Sequence, residues 1–188
     1  APALQLCDRQ ILVPPVDSPD YVARLLEACE QNEIGLVFPL IDPDIPLLAA
    51  AAGDFANLGA RAAVVKSEAA AMAADKAKTM DLFDRAAVHR PDSWIGPLVS
   101  IPDSRYPLYV KPRQGSAAQH THKVNNSEDL EFLVRRVPNP IVQEYLPGPE
   151  ITCDLAYSFD GELLGMCQRR RIAVRSGEVL KGVTVWME

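Results

Sequence analysis

The chain has 188 residues, 48% apolar and 23% charged, with a formal net charge of -6. That balance suits a globular protein, argues against a disordered one, and gives no global reason to bind nucleic acid. No apolar run approaches the roughly 20 residues of a membrane-spanning helix, and no basic segment with an apolar core opens the chain, so neither a membrane partner nor a signal peptide is expected.

In chain order, Val22, Leu25, Leu26 and Cys29 fall on one face of a helix that Asn32 and Gly35 stop. Residues 34–41 form a continuous apolar run, expected to be a strand covered on both faces. A helix is then expected from about Ile45 to Leu58, with Asp44 as its N-cap, Pro46 in its first turn and Gly59 at its end. Ala62 to Val65 read as a second strand, and strand–helix–strand order favours a parallel sheet. A long helix is expected over about 68–86, with Ser67 as cap and Met72, Met80 and Phe83 on its buried face. We place the domain boundary ahead of it, giving an α/β domain at 1–66 and a second domain at 67–188. In the second, residues 106–111 read as a strand and 113–121 as a polar loop. Ser127 is expected to cap a helix whose apolar face is Leu130, Leu133, Val134 and Val137, with Glu128 and Asp129 in its first turn. A strand follows at 141–145, then a hairpin of 151–159 and 162–175 turned at Asp160-Gly161, a turn at 175–177, and a last strand at 179–186. Trp94 and Trp186 are expected to pack.

No P-loop, GxGxxG, HExxH or GxSxG motif is present. The four cysteines, Cys7, Cys29, Cys153 and Cys167, make no CxxC pair, which favours a reducing cytoplasm over a disulfide or metal framework. His120 and His122 sit in a polar loop without a third ligand and read as solvent-exposed. Asp42 and Asp44 read as turn and capping residues, although the end of a strand is also where open sheets bind ligands.

Three segments carry chemistry. In Val110-Lys111-Pro112-Arg113-Gln114-Gly115, a strand delivers a lysine to a loop that continues through Ser116 with small residues. Such a lysine presents a compact cation to a polyphosphate, and the loop can lay N–H groups on its oxygens; a solvated strand end reads equally simply. In Gln143-Glu144-Tyr145-Leu146-Pro147-Gly148-Pro149-Glu150, extended backbone at Glu144 and Leu146 offers a C=O and an N–H to an adenine edge, and Glu150 offers acceptors to ribose hydroxyls. A plain strand and turn is the alternative. Asp75-Lys76 puts a third cation on a helix, facing phosphate or solvent.

In this order the segments resemble the ATP-grasp superfamily, as do Asp154, Gly161 and the strand carrying Arg169, Arg170 and Arg171. The nearest likeness is to stand-alone proteins related to the large subunit of carbamoyl phosphate synthetase, and LVFPLIDPDIPLLA resembles their small pre-ATP-grasp domain. The implied fold class is α/β: a small parallel-sheet pre-ATP-grasp domain followed by an incomplete α+β ATP-grasp domain. The implied function is an ATP-dependent ligase that activates a carboxylate as an acylphosphate for attack by an amine or similar nucleophile. The implied cofactors are ATP and Mg²⁺, and the implied partners are small-molecule carboxylates and amines. Nucleotide contacts carry over to Lys76, Lys111, Gly115, Ser116, Gln143, Glu144, Tyr145, Leu146 and Glu150. Arg169 and Arg171, on one face of their strand with Arg170 on the other, become candidates for contact with the acylphosphate, or else a solvated strand face.

Two departures stand out. The loop reads Gly-Ser-Ala-Ala-Gln-His where the family is glycine-rich, and nothing after Glu178 resembles the family's acidic and Glu-x-Asn metal ligands. The Mg²⁺ ligands are therefore expected beyond Glu188. Together with the missing initiator Met and first strand, this makes a fragment the expectation, with weak or no nucleotide binding and no catalysis by residues 1–188 alone. A non-catalytic nucleotide-binding or regulatory module remains the alternative to a ligase, and an α/β interaction domain without nucleotide the third. Oligomeric state is open, a homodimer included.

Overall fold

The computed structural model describes residues 2–96, 101–175 and 178–186, and the chain divides into two compact units, Ala1–Ala71 and Met72–Glu188. The first unit holds α1 (Tyr21–Gln31), β1 (Leu36–Val37), α2 (Asp44–Ala50), α3 (Ala52–Asn57) and β2 (Arg61–Ala62). β1 and β2 pair in parallel, Leu36 opposite Arg61 and Val37 opposite Ala62. Cys29, Leu48, Phe55, Ala60 and Ala62 form its core, with Val22, Leu25 and Leu26 of α1 packed on it.

The continuous strand expected at 34–41 shrinks to two residues. Pro39 has no N–H for a ladder, and Phe38, Leu40 and Ile41 are exposed rather than covered on both faces. The single helix expected to Leu58 breaks at Ala51, where the backbone turns to φ -94 and ψ 9. Asp44 is not its N-cap. Pro43 takes that position, and the buried Asp44 carboxylate accepts a 2.9 Å hydrogen bond from the Tyr21 hydroxyl. Burial and the Asp44 carboxylate push the Tyr21 phenol up to about 12. At the far end Gly59 takes φ +77; its N–H donates to Ala56 at 3.0 Å and that of Ala60 to Phe55 at 3.0 Å, the paired bonds that close a helix through a left-handed residue.

After β2 in chain order, the long helix expected over 68–86 is two helices, α4 (Ser67–Ala73) and α5 (Lys76–Arg85). The break is Asp75, extended at φ -121 and ψ 108, whose side chain accepts the Ala77 N–H. A short carboxylate that bonds the backbone competes with helix continuation and caps a new start instead.

The second unit has two antiparallel sheets. The four-stranded one has the order β3-β6-β4-β5, from β3 (Ser93–Ile95), β4 (Leu108–Pro112), β5 (His122–Val124) and β6 (Pro140–Glu144). Leu108, Val110, Val124 and Val142 make the core of this sheet with Leu130 of α6 (Ser127–Val134) and Val137; Trp94, Leu133 and Val134 pack against it. Asn126, not Ser127, caps α6, accepting the Asp129 N–H at 2.8 Å. β3 and β5 were not expected: each is three residues, too short to show an alternation. The three-stranded sheet, β7-β8-β9, consists of β7 (Ile151–Tyr157), β8 (Leu163–Arg175) and β9 (Glu178–Thr184), as the hairpin reading implied. Trp186 does not pack; it is 95% exposed. The turn expected at 175–177 lies partly outside the described residues. Among the described residues no helix is long and apolar enough to cross a membrane.

Candidate functional site

On β4, alternation puts Leu108 and Val110 into the core and leaves Tyr109 and Lys111 on the opposite face. Register brings Tyr109 opposite Gln143 and Lys111 opposite Ile141 of β6. That face fronts a cavity of about 680 Å³, within the range of small-molecule sites. Lys111, Gln143, Glu144, Tyr145, Leu146, Glu150 and Arg171 all line it, with Tyr109, Ala118 and Thr121. Seven of the sequence candidates thus share one concavity. Lys76, Gly115, Ser116 and Arg169 are not among its lining residues.

Each wall is built by identifiable contacts. Gln143 is buried, and its amide nitrogen donates to Ser93 Oγ at 2.9 Å and approaches Met80 Sδ at 3.4 Å. Glu144 closes β6 onto the start of β3: its N–H donates to Asp92 O at 2.8 Å, and its carboxylate accepts the Asp92 N–H at 3.2 Å. The Tyr145 ring lies 5.5 Å from the Tyr109 ring, tilted by 54°, and carries Lys123 Nζ 3.8 Å from its centroid, within cation–π range. Leu146 is exposed at the rim, followed by Gly148 at φ +133, a conformation that favours glycine. Glu150 pairs with Arg171 across the hairpin, its carboxylate 63% exposed against 16% for the arginine. Arg169 makes a two-pronged pair with Asp154, which draws that carboxyl below its ordinary range.

Lys76 begins α5, and its ammonium donates to Gly115 O at 3.0 Å. Burial first, then the charge of Lys76, lowers the Lys111 amine below its usual value. Two ammonium groups near enough to repel mark a place that favours an anion. Beyond Gly115, which has φ +115, Ala117, Ala118 and His120 adopt φ +56, +52 and +51. The loop therefore folds back with left-handed residues, as a glycine-rich loop would, but with alanines at two of the turns. His120 and His122 are exposed. Among the described residues no group of three or more His, Cys, Asp or Glu could hold a metal ion, so no residue here is assigned to Mg²⁺.

Sequence reasoning missed Tyr109, Thr121 and Ser93 as parts of this wall. Tyr109 had a signal, since it lies two residues before Lys111 on one strand face. Ser93 had none, because it reaches Gln143 across fifty residues of chain.

The family model described as ATP-grasp domain matches residues 73–188, and the one described as PylC-like, N-terminal domain matches residues 1–63. A D-alanine--D-alanine ligase from Fusobacterium nucleatum subsp. nucleatum is 30% identical over 98 residues, covering 52% of this chain and 32% of the ligase. The L-amino acid ligase from Bacillus licheniformis superposes with a TM-score of 0.64 at 19% identity, covering 87% of this chain and 40% of that one. The biotin carboxylase domain dimer of Hydrogenobacter thermophilus 2-oxoglutarate carboxylase, in complex with MgADP, ADP and bicarbonate, gives a TM-score of 0.68 at 17% identity, covering 94% of this chain and 43% of that one. At such identities the two structures show a common fold and no more. The chain spans about a third of the curated ligase and less than half of either structure.

Proposed function

The chain belongs to the ATP-grasp family, a family of ATP-dependent ligases, and from that premise we propose that residues 67–188 bind ATP in the 680 Å³ cavity and present its γ-phosphate to a carboxylate substrate. The observation that carries this reading is that one cavity collects a lysine, the end of β6 with the turn that follows it, and an acidic residue. Lys111 and Lys76 hold the polyphosphate by charge, with Gly115 and Ser116 at the start of the covering loop. Glu144 and Leu146 meet the adenine edge through backbone groups, Gln143 faces its amino group, and Tyr145 supports the turn. Glu150 accepts the ribose hydroxyls. Arg171, and Arg169 beside it on the strand, supply positive charge on the substrate side. Mg²⁺, when bound, would neutralise phosphate charge.

The chemistry is two displacements. A carboxylate oxygen attacks the γ-phosphorus and ADP leaves; the amine nitrogen of a second substrate attacks the acyl carbon, loses a proton, and phosphate leaves. Residues 1–66 serve as the accessory domain. The test is incubation of the full-length protein with ATP, Mg²⁺ and pools of small carboxylic acids, with hydroxylamine as the trapping nucleophile. Acid-dependent formation of a hydroxamate with ADP and phosphate supports the reading. Release of AMP and pyrophosphate contradicts it, and nucleotide binding without turnover on any acid favours the non-catalytic module.

A further inference from the structure

Asp75 and Arg113 join the start of α5 to the end of β4. The Asp75 side chain is only 5% exposed, and Asp75 is not among the residues that line the cavity. Its two oxygens take the Arg113 guanidinium side-on: Oδ1 from Nε at 2.6 Å and Oδ2 from Nη2 at 2.7 Å. Oδ1 also accepts the Ala77 N–H at 3.0 Å, which starts α5 at Lys76. The Lys76 N–H donates to Arg113 O at 3.0 Å, and Lys76 Nζ to Gly115 O at 3.0 Å. From the other side, the Arg113 N–H donates to Asn139 O at 2.9 Å, beside β6. One carboxylate and one guanidinium thus tie the start of a helix, the end of β4 and the first turn of the loop into a single joint.

We propose that the Asp75–Arg113 pair is the positioning element of the anion site: it holds Lys76 of α5 beside Lys111 of β4 and fixes where the loop begins. The proposal rests on the nucleotide reading above for the identity of the anion. Without a restraint, two ammonium groups that repel would separate, and α5 has no other side-chain bond to β4 or its loop than those of Asp75 and Lys76 among the contacts described. The pair is internally neutral, so it orders the site without reducing its net positive charge. Its fork geometry resists rotation of helix against strand, which a single-point lysine contact would allow. Asp81, which also acts on Arg113 by charge, lies further along α5.

The test compares wild type with Asp75→Asn, which keeps an oxygen able to cap α5, and with Arg113→Lys, which keeps the charge and loses the fork. Calorimetry reads affinity for ATP, inorganic triphosphate and adenosine, and amide hydrogen exchange reads the Lys76 N–H and residues 113–121. The proposal expects both variants to bind ATP and triphosphate about tenfold more weakly or worse, adenosine as before, and the Lys76 amide to lose protection. Folded variants with an unchanged ATP-to-adenosine ratio and a protected Lys76 amide overturn it. Equal loss for all three ligands also overturns it, because that is damage to the fold and not to phosphate positioning. A wild type that binds neither ATP nor triphosphate removes the nucleotide reading instead; the amide protection then decides by itself whether the joint exists. If Asp75→Asn does not fold, Arg113→Lys carries both measurements.

Discussion

Leu108, Val110 and Val124 of the four-stranded sheet are fully buried, whereas Leu155 and Met166, a cross-strand pair of the three-stranded sheet, are 51% and 57% exposed. Both sheets are antiparallel, and the hairpin of the second is the longer-paired of the two. Their ladders are alike; what differs is the water excluded from their side chains. Net ladder bonds contribute modestly because they replace bonds to water, while burial of apolar area drives folding. The cavity takes Tyr109, Lys111 and Gln143 from the well-buried sheet and Ile151, Arg171 and Val174 from the exposed one. Its Tyr109–Lys111 wall therefore stands on the firmer support, and its Glu150–Arg171 wall on the softer.

The largest effect that can break this comparison is a matched pair of truncations. Leu108→Ala removes a fully buried side chain and should cost about 2–5 kcal/mol in urea unfolding, while Leu155→Ala should stay within about 0.5 kcal/mol. Equal costs would mean that the second sheet is as deeply packed as the first. Native-state amide exchange should rank the strands likewise, with β4 and β6 slower than β7 and β9.

Acid should act next, at the joint of α5 with β4. Hydrogen bonds from Arg113 hold the Asp75 carboxyl at about 2, below the ordinary 3.8. A depressed folded value contributes stability that is present above about pH 4 and is lost as pH falls towards 2. Circular dichroism titrations should show this loss in wild type and a flatter acid limb in Asp75→Asn; superimposable limbs would contradict the assignment. The smallest effect concerns the loop. Ala118 sits at φ +52, where a side chain is strained, so Ala118→Gly should stabilise by about 0.5–1 kcal/mol once the added chain entropy is deducted. Destabilisation would show that the methyl group packs more than it strains.

Much of this was legible in the sequence where periodicity was long. The hairpin of β7 and β8, the apolar face of α6 and the end of the first unit's helix at Gly59 follow from alternation, spacing and a glycine stop. Breaks were not legible. A carboxylate at Asp75 looks like any helical surface residue until Arg113, far along the chain, arrives to meet it. Asp44 read as a cap because its partner Tyr21 is equally distant. In the site, Lys111 and the 143–150 segment could be read because each is a local motif on a strand end. Ser93 behind Gln143, and Lys123 over Tyr145, are long-range contacts that leave no local mark.

The central claim is that the cavity is a nucleotide site gripped at Lys111 and Glu150. Thermal unfolding of the full-length protein with millimolar ATP and Mg²⁺ tests it most directly, since a ligand at a hundred times its Kd stabilises a protein by about 2.7 kcal/mol. The account predicts an upward shift in wild type that Lys111→Ala and Glu150→Ala each remove, with little change in either variant's ligand-free midpoint. A shift that survives both substitutions would put the nucleotide elsewhere, and no shift in wild type at saturating ATP would contradict the claim outright.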